Sequence, residues 1–336
     1  MKTLSLALSL IAVRAFAAEP ARLSLQLGHS EPVSAVSLSE DGRYLMTFGE
    51  DRYNVLWDAE TGVELRRYGG NPCFPNAGLL LKSKDLFITA GRSCAGHIAV
   101  YQLSTGKQLA FIPAHNGNVK SLILSPDGKL LASTGDDGKV RLWSVGTWAP
   151  VRTFEREGPT LRATFSKDGS LLAAVGGDGN DRHDRSIRVW EVKSGKERAR
   201  LESKVVVGDA LFLPDGRLVT AAEMGMYAGP GGRMLFDGGV LIWNLDAKEP
   251  AARSQQKYLK FSRLAALPNG RFLTTSAQGL VVNAAGESAF VTSGAHAIAE
   301  WDPADVSTST YALKDPRIVD WVGIEIERNE IGRAHV

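Results

Sequence analysis

Net charge, cysteine and histidine are all scarce in this chain, and each scarcity argues against a class of function. The 336 residues carry 39 Lys and Arg against 37 Asp and Glu, and Lys2 and Arg14 account for the whole excess. A nearly neutral chain is not expected to be a nucleic-acid platform, which shows a basic stripe, or to dock on anionic membranes. Two cysteines alone are too few for a zinc site. Six histidines leave a thin supply for metal or catalytic chemistry.

Long apolar runs are also scarce, and the only one lies at the N-terminus. Lys2 precedes an apolar stretch from Leu4 to Val13, and Ala15-Phe16-Ala17 places small residues before a cleavage point. The run is too short to span a bilayer. Residues 1–17 are therefore predicted to be a cleaved signal peptide. The mature protein is predicted to be exported and soluble, in the periplasm or outside the cell, and its source is predicted to be bacterial.

The chain does contain a repeat of about 44 residues, marked by an imidazole, a hydroxyl, a carboxylate and an indole. The first set is His29, Thr47, Asp51 and Trp57, and another is His115, Ser133, Asp137 and Trp143. In both sets the indole follows the imidazole by 28 residues, the hydroxyl by 10 and the carboxylate by 6. These spacings fit a four-stranded sheet in which the four groups hydrogen-bond across strands, so that no buried polar group is left without a partner.

This pattern resembles the WD40 family of β-propellers, of which repeats of this length are typical. The resemblance implies an all-β, seven-bladed propeller whose polar tetrads are structural, since catalysis normally needs one copy. The aromatic residues predicted to end third strands are Trp57, Tyr101, Trp143, Trp190 and Trp243, followed by Asn283 in place of Trp in the sixth unit and by Trp321 in the seventh. Hairpin signals agree, at Asp41-Gly42, Pro126-Asp127-Gly128, Asp168-Gly169, Pro214-Asp215-Gly216 and Pro268-Asn269-Gly270. In an alternative register, Trp301-Asp302 closes the sixth unit.

The same resemblance implies that the ring closes through its N-terminus, which removes exposed sheet edges. Arg22 to Leu27 alternates like a strand and is predicted to be the outer strand of blade 7, the other three coming from about Ala297 to Ile326. The propeller is thus predicted over residues 18–330. Residues 331–336 match a translated sequencing-adapter sequence and are predicted to be an artefact, so the natural product could continue into a further domain.

Both cysteines fall in the second unit, where the resemblance places the imidazole and the carboxylate. Cys73 stands at the histidine position and Cys94 at the aspartate position. The resemblance implies that these positions touch, so a disulfide is predicted, which would persist in an exported protein. Two free thiols or a metal pair remain the alternatives.

Three insertions fall between the second and third strands of their units, and therefore on one face. They lie around residues 92–96, at residues 178–184 and from Glu223 to Asp237. The predicted partner-binding residues of the longest insertion are Met224, Met226, Tyr227, Met234 and Phe236, because methionine repacks readily and aromatic residues anchor interfaces. Packing of this loop on itself and Cu(I) binding by its thioethers are the alternatives. The acidic 178–184 segment is interpreted as a solvated turn, with Ca²⁺ binding as the alternative.

The predicted function is therefore that of a non-enzymatic exported scaffold that binds a protein or peptide on this face. We expect no cofactor, no metal and no nucleic-acid partner, and a monomer. The alternative class is a propeller enzyme such as a lactonase, glycosidase or quinoprotein. Such an enzyme needs His, Glu or Asp lining a central channel, and outside the clean tetrads and the last six residues only His97, His183 and His296 remain.

Overall fold

The computed structural model describes residues 28–70, 74–92, 96–176, 185–203, 205–228, 234–247, 249–256, 259–266, 270–282, 288–291, 297–304 and 308–312. These residues form antiparallel sheets and one short 3₁₀ turn, Lys82–Lys84. Among them there is no helix with the length and apolarity needed to cross a membrane. The predicted all-β class is confirmed.

The described strands form six sheets, each built from consecutive strands. Sheet 1 comprises β1 (Val33–Leu38), β2 (Tyr44–Gly49), β3 (Asn54–Asp58) and β4 (Glu64–Tyr68). Sheet 2 comprises β5 (Phe74–Leu81), β6 (Leu86–Arg92), β7 (His97–Gln102) and β8 (Gln108–Pro113). Sheet 3 comprises β9 (Val119–Leu124), β10 (Leu130–Gly135), β11 (Lys139–Ser144) and β12 (Pro150–Glu155).

The remaining three sheets continue this order. Sheet 4 comprises β13 (Thr160–Phe165), β14 (Leu171–Gly176), β15 (Ile187–Glu191) and β16 (Glu197–Leu201). Sheet 5 comprises β17 (Val206–Phe212), β18 (Leu218–Ala228), β19 (Met234–Trp243) and β20 (Ala252–Gln256). Sheet 6 comprises β21 (Leu259–Ala266), β22 (Phe272–Val282), β24 (Ala297–Trp301) and β25 (Thr308–Ala312), with β23 (Ser288–Val291) paired to the far end of β22.

Neighbouring sheets pack face to face, and their first strands contact one another in series from β1 through β5, β9, β13 and β17 to β21. An apolar cluster fills each of the five interfaces between consecutive sheets. Backbone hydrogen bonds to side chains add to this packing: Ser37 Oγ accepts the N–H of Leu80 at 3.0 Å, and Asp209 Oδ2 accepts that of Leu264 at 3.0 Å. This is the packing of successive propeller blades, with the fourth strand of each sheet outermost.

Turns between first and second strands are built on serine, aspartate and glycine. Ser39 donates to Asp41 Oδ1 at 2.6 Å, and Gly42 has φ 65°, a left-handed conformation that glycine adopts without strain. The same serine–aspartate bond, also 2.6 Å, recurs in sheets 3 and 4. The hairpins predicted at these aspartates are therefore present.

The predicted register is right for five sheets and wrong for the sixth. The aromatic residues predicted for the first five units all lie in third strands. In sheet 6 the third strand is β24, and Trp301 pairs with Phe272 as Trp57 pairs with Leu45. The third strand predicted to end at Asn283, a residue outside the described ones, is therefore replaced by β24, and Ala297 belongs to sheet 6 rather than to a seventh blade. The alternative register is the observed one.

Seven blades and closure by Arg22–Leu27 stay predictions, because residues 1–27 and 313–336 lie outside the described residues. The same holds for three further predictions: the signal peptide, the assignment of Asp315–Trp321 to a third strand and the artefactual origin of the six terminal residues.

Candidate partner-binding face

The polar tetrad of sheet 1 is a continuous chain of buried hydrogen bonds. His29 Nδ1 lies 2.9 Å from Asp51 Oδ1, and Nε2 lies 2.7 Å from Thr47 Oγ1. Thr47 Oγ1 also accepts the indole N–H of Trp57 at 2.8 Å. Asp51 Oδ2 accepts the backbone N–H of Ser30 at 3.0 Å. The tetrad thus ties the segment entering the sheet to the loop between its second and third strands.

Sheet 3 repeats this arrangement and adds a cation. His115 contacts Asp137 and Ser133 at 2.8 Å each, and Trp143 donates to Ser133 Oγ at 3.0 Å. Arg141 Nη1 donates to Asp137 Oδ2 at 2.8 Å. Burial lowers the pKa of His115, and the Arg141 charge acts in the same direction, together outweighing the carboxylate. Burial alone would raise the pKa of Asp137, but hydrogen bonds from His115 and Arg141 hold it below its usual range.

Two further hydroxyl–indole pairs were missed by the sequence interpretation. Trp243 donates to Thr220 Oγ1 at 3.0 Å, and Trp301 donates to Thr274 Oγ1 at 2.9 Å. These residues are 23 and 27 apart in the chain, against 10 in the clean tetrads. Insertions between the second and third strands lengthen the spacing of hydroxyl and indole along the sequence. The pairs were therefore not recognised, although the sheets keep the contact.

Sheet 4 replaces the imidazole with a guanidinium, which the sequence interpretation also missed. Gly49 ends β2, and a Cβ added there would meet the His29 ring. Gly176 ends β14 in the same way, and a Cβ added there would meet Arg156 Nη1 and the carbonyl of Pro159. Arg156 is 6% exposed and donates to the carbonyl of Ser186 at 2.9 Å. Its second donor group reaches the carbonyl of Pro159 at 3.3 Å. Arg156 therefore joins the entering segment to the residue just before the third strand. Histidine in sheets 1 and 3 instead joins that segment to the second strand and to the loop that follows it.

The tetrads of sheets 1 and 3 and Arg156 of sheet 4 hold loops at the same end of their sheets. We call this end of the six sheets the loop face. It carries the segments that enter each first strand and the connections from second to third strands. Each first strand also has a β-bulge near this face. The bulged residues are Ser34, Asn76, Lys120, Leu161, Gly208 and Ser262. A bulge re-aims a side chain and is common beside functional sites.

Neighbouring groups hold the bulged side chains of sheets 2 and 3. Asn76 Nδ2 donates to the carbonyl of Val119 at 3.0 Å, which links two sheets. Lys120 Nζ lies 2.8 Å from Asp136 Oδ1, and Asp136 also accepts the N–H of Asn118 at 3.1 Å. Burial would raise the pKa of Asp136, but these bonds outweigh it and lower the pKa.

Where the structure describes it, the longest predicted insertion consists of two paired strands that extend sheet 5. Beyond a bulge at Met224, β18 and β19 stay paired, with Met226 opposite Phe236 and Ala228 opposite Met234. Because the side-chain period of a strand is two, these four positions share one face of the hairpin. Tyr227, opposite Leu235, lies on the other face. The predicted partner-binding residues are therefore divided between two faces.

Sheet 6 has a second hairpin at the same edge, which the sequence interpretation had assigned as a third strand. Gly279 to Val282 at the end of β22 pairs with β23, Gly279 opposite Val291. Adjacent sheets 5 and 6 thus both extend from the loop face. We call these segments the sheet 5 hairpin (223–238) and the sheet 6 hairpin (279–291).

The other predicted sites lie outside the described residues. These are Cys73, Cys94 and residues 178–184, with His183, and also His296. Within the parts of the chain that the structure describes, no three or more His, Cys, Asp or Glu side chains form a group that could hold a metal ion.

Comparison with known proteins agrees with the tetrad geometry. The family model described as WD domain, G-beta repeat matches residues 22–58 and 106–144, which include all of the first tetrad and all of the tetrad in sheet 3. These two segments of the chain are therefore similar to WD40 repeats. WD40 repeat proteins generally serve as non-enzymatic scaffolds for protein interaction.

Three relatives show how far the similarity extends. The rat apoptotic protease-activating factor 1 is 26% identical over 58% of this chain and 16% of its own length. The guanine nucleotide-binding protein subunit beta of Oryza sativa is 27% identical over 39% of this chain and 36% of its own. The SIR4-interacting protein SIF2 of Saccharomyces cerevisiae is 24% identical over 67% and 41%. The chain spans well under two thirds of each, and these eukaryotic relatives give no support to a bacterial origin.

Proposed function

We propose that this protein is an exported, non-enzymatic scaffold that binds a protein or peptide partner on its loop face. The observation that carries the proposal is the pair of hairpins extending from adjacent sheets 5 and 6 at the edge where the bulges also lie. Repeat proteins place insertions on the binding face. Strand pairing gives the sheet 5 hairpin a preformed shape, which lowers the entropy lost on binding.

Met226, Met234 and Phe236 form the proposed apolar contact surface, with Met224 and Tyr227 on the bulge and the opposite face. Methionine adapts to varied partner surfaces, and large aromatic residues dominate interface energies. One relative is itself named as an interacting protein, SIR4-interacting protein SIF2.

The tetrads are a poor basis for hydrolase chemistry, although they contain hydroxyl, imidazole and carboxylate. Thr47 Oγ1 already bonds both His29 and Trp57, and the hydroxyl residue is only 5% exposed. The same set recurs in sheet 3. A buried and repeated network of this kind stabilises the sheet.

Site-specific photo-crosslinking tests the partner surface. A photoreactive residue at position 236 should crosslink a protein from the source cell, whereas the same residue at Leu65, 48% exposed on the outer strand of sheet 1, should not. Replacing 224–236 with a short Asp-Gly turn should abolish capture without lowering the melting temperature. If the shortened protein captures the same partner, the hairpin is not the binding element.

We propose as well that the mature chain begins at Ala18, that Arg22–Leu27 closes a seventh blade and that Cys73 and Cys94 form a disulfide. The intact mass of the exported protein, measured with and without reductant, tests the cleavage site and the disulfide. The mass should equal that of a chain beginning at Ala18, and it should rise by two hydrogens on reduction. A deletion of residues 18–27 should lower the melting temperature sharply if the strand closes the ring.

A further inference from the structure

The tetrad of sheet 3 lies beside two backbone segments that are tied to each other at the loop face. The N–H of Asp136 donates to the carbonyl of Asn118 at 3.0 Å, and Asp136 Oδ2 accepts the N–H of Asn118 at 3.1 Å. The same carboxylate holds Lys120 Nζ at 2.8 Å through Oδ1. We call residues 114–118 and 136–138 the sheet 3 latch, because together they fix an ammonium group beside the bulge of β9.

His115 completes the bonds of this latch in its neutral form. Its Nδ1 lies 2.8 Å from Asp137 Oδ1, and its Nε2 lies 2.8 Å from Ser133 Oγ. When Nδ1–H donates to the carboxylate, Nε2 is left to accept the hydroxyl proton of Ser133. Ser133 Oγ already accepts the indole N–H of Trp143 at 3.0 Å. A proton added at Nε2 would therefore turn the hydroxyl proton away from its acceptor.

A cation beside the ring also opposes protonation. Arg141 Nη1 lies 2.9 Å from His115 Nδ1 and 2.8 Å from Asp137 Oδ2, so it repels an imidazolium and neutralises the carboxylate that would stabilise one. Burial lowers the pKa of His115, and the charge of Arg141 adds to this effect. Sheet 1 has Val55 at the register position of Arg141. The first tetrad is therefore a natural comparison in which valine replaces this cation.

The two carboxyls of the latch keep their charge at mildly acidic pH. Hydrogen bonds outweigh the effect of burial and hold the pKa of Asp136 and that of Asp137 below the usual range. Both groups therefore stay ionised between pH 5 and 7, the range in which histidine ordinarily titrates. His115 is the side chain whose charge can change in this part of the latch.

Charged groups on the adjoining elements are held by other partners. Lys139 Nζ lies 3.0 Å from Glu155 Oε1, and the Arg156 guanidinium donates to two backbone carbonyls. Sheet 2 contributes the carbonyl of Gly96, which accepts the N–H of His115 at 2.8 Å. In the same sheet, the ring of His97 stacks on that of Phe111. Asp137 and Arg141 are thus the charged groups that bond directly to the His115 ring.

We propose that the sheet 3 latch is released by acid: protonation of His115 separates 114–118 from 136–138 and frees Lys120 from Asp136. In the opened latch the imidazole would titrate near the ordinary histidine pKa of about 6.5. Opening then becomes more favourable as the pH falls below that value, by at most about tenfold per pH unit for one proton. Release would change the charges that the loop face presents. Any effect on partner binding rests on the proposed function, whereas the latch itself does not.

Amide hydrogen exchange of the full-length protein, without a partner, tests the latch. After correction for the intrinsic exchange rate, protection of the Asp136 N–H should fall at least fivefold between pH 7 and pH 5.5. The matched amide is that of Glu50, which donates to the carbonyl of Pro32 at 2.9 Å in sheet 1 and should lose less than twofold. H115Q keeps a donor and an acceptor but does not titrate, so it should remove the pH dependence at Asp136.

R141V gives a second test, because it places the residue of sheet 1 in sheet 3. Without the repelling charge, the fall in protection at Asp136 between the two pH values should be at least twofold smaller than in the parent, whatever the protection at pH 7. The proposal is overturned by an equal fall at Asp136 and Glu50, by an unchanged pH dependence in H115Q, or by an unchanged fall in R141V. Crosslinking from position 236 at pH 7 tests the proposed function separately, and its failure would leave the exchange result in place.

Discussion

Trp148 and Ala110 pack against the same apolar cluster between sheets 2 and 3. Trp148 stands where other sheets have glycine, and Ala110 stands where other sheets have arginine. Trp148 has φ 57° in the turn where sheets 1, 2 and 4 have Gly62, Gly106 and Gly195. A bulky residue in this conformation is strained. Ala110 stands at the register position of Arg66 and Arg152, whose guanidinium groups reach carbonyls in the corresponding turn of the next sheet.

We therefore expect A110R and W148G to be coupled. Arg152 packs against Gly195, where even a Cβ would lie within 3 Å of its guanidinium, so an arginine at 110 should collide with the Trp148 side chain. A110R should lower the free energy of unfolding of the parent. In a W148G background the same substitution should lower it less, by a difference of about 1 kcal/mol or more. Urea unfolding of the four proteins measures the coupling, and strict additivity would show that the two positions are independent.

T47V should destabilise sheet 1 because two hydrogen bonds are lost, and not because the volume of the side chain changes. Valine keeps the shape of threonine but leaves the Trp57 indole N–H and His29 Nε2 without their shared partner. An unsatisfied buried group costs about 1–3 kcal/mol. The matched control is T153V on the exposed face of β12, which should change the free energy of unfolding by less than about 0.5 kcal/mol. Equal effects would mean that the tetrad contributes nothing beyond packing.

R156A should cost far more stability than R198A. Arg156 is buried and donates to the carbonyls of Pro159 and Ser186, which would lose their partner. Arg198 forms an exposed ion pair with Asp246, and such pairs contribute about 0–1 kcal/mol. Thermal unfolding should show a clear fall in melting temperature for R156A and little change for R198A. The reverse order would show that Arg156 does not have this structural role.

The Asp168 carboxyl should titrate with a pKa of about 2, because the Ser166 hydroxyl and the Ser170 N–H both donate to it. A folded-state pKa below the ordinary value of 3.8 means that the stabilising contribution is complete above about pH 4 and is lost as the pH falls toward 2. NMR of the carboxyl carbon measures this titration. S166A should move the pKa up toward 3.8, and an unshifted S166A would assign the effect to another donor.

Stability should also fall at milder acidity because of His115. Its pKa is lowered by burial, so the unfolded chain binds the proton more readily than the folded one. Stability contributed by the neutral imidazole is complete above about pH 6.5 and declines below it. Imidazole NMR shifts should show His115 titrating at a pH below the ordinary value of 6.5. A normal titration would contradict the burial of this ring.

The sequence predicted sheets 1 and 3 most directly, because the hydroxyl, carboxylate and indole stand at constant offsets when the connecting loops are short. Trp57 and Trp143 show this directly. Where hairpins are inserted, the offset grows from 10 to 23 residues for Thr220 and Trp243 and to 27 for Thr274 and Trp301. The spatial contact survives such insertions, whereas the linear spacing does not.

Arg156 could not be found from the repeat pattern for a different reason. The pattern specifies an imidazole. The space beside Gly176 requires only a hydrogen-bond donor that reaches nearby carbonyls, and Arg156 fills it with a longer side chain from another position in the sequence. The sequence interpretation treated 223–237 as an inserted loop, because glycines and methionines obscured a pairing that the backbone continues from the sheet at 225–228 and 234–237.

The sheet 5 hairpin also determines how a partner can approach. Four residue pairs lie beyond Glu223 and Gly238, and at about 3.3 Å per residue they form a ridge about 13 Å high. The corresponding connections of sheets 1 and 3, Glu50–Tyr53 and Asp136–Gly138, are short turns. If the proposed binding face is used, a partner that reaches Asn76 and Lys120 would approach over the short turns of sheets 1 and 3 and meet the ridge at its side. Binding would then select the orientation of the partner as well as its identity.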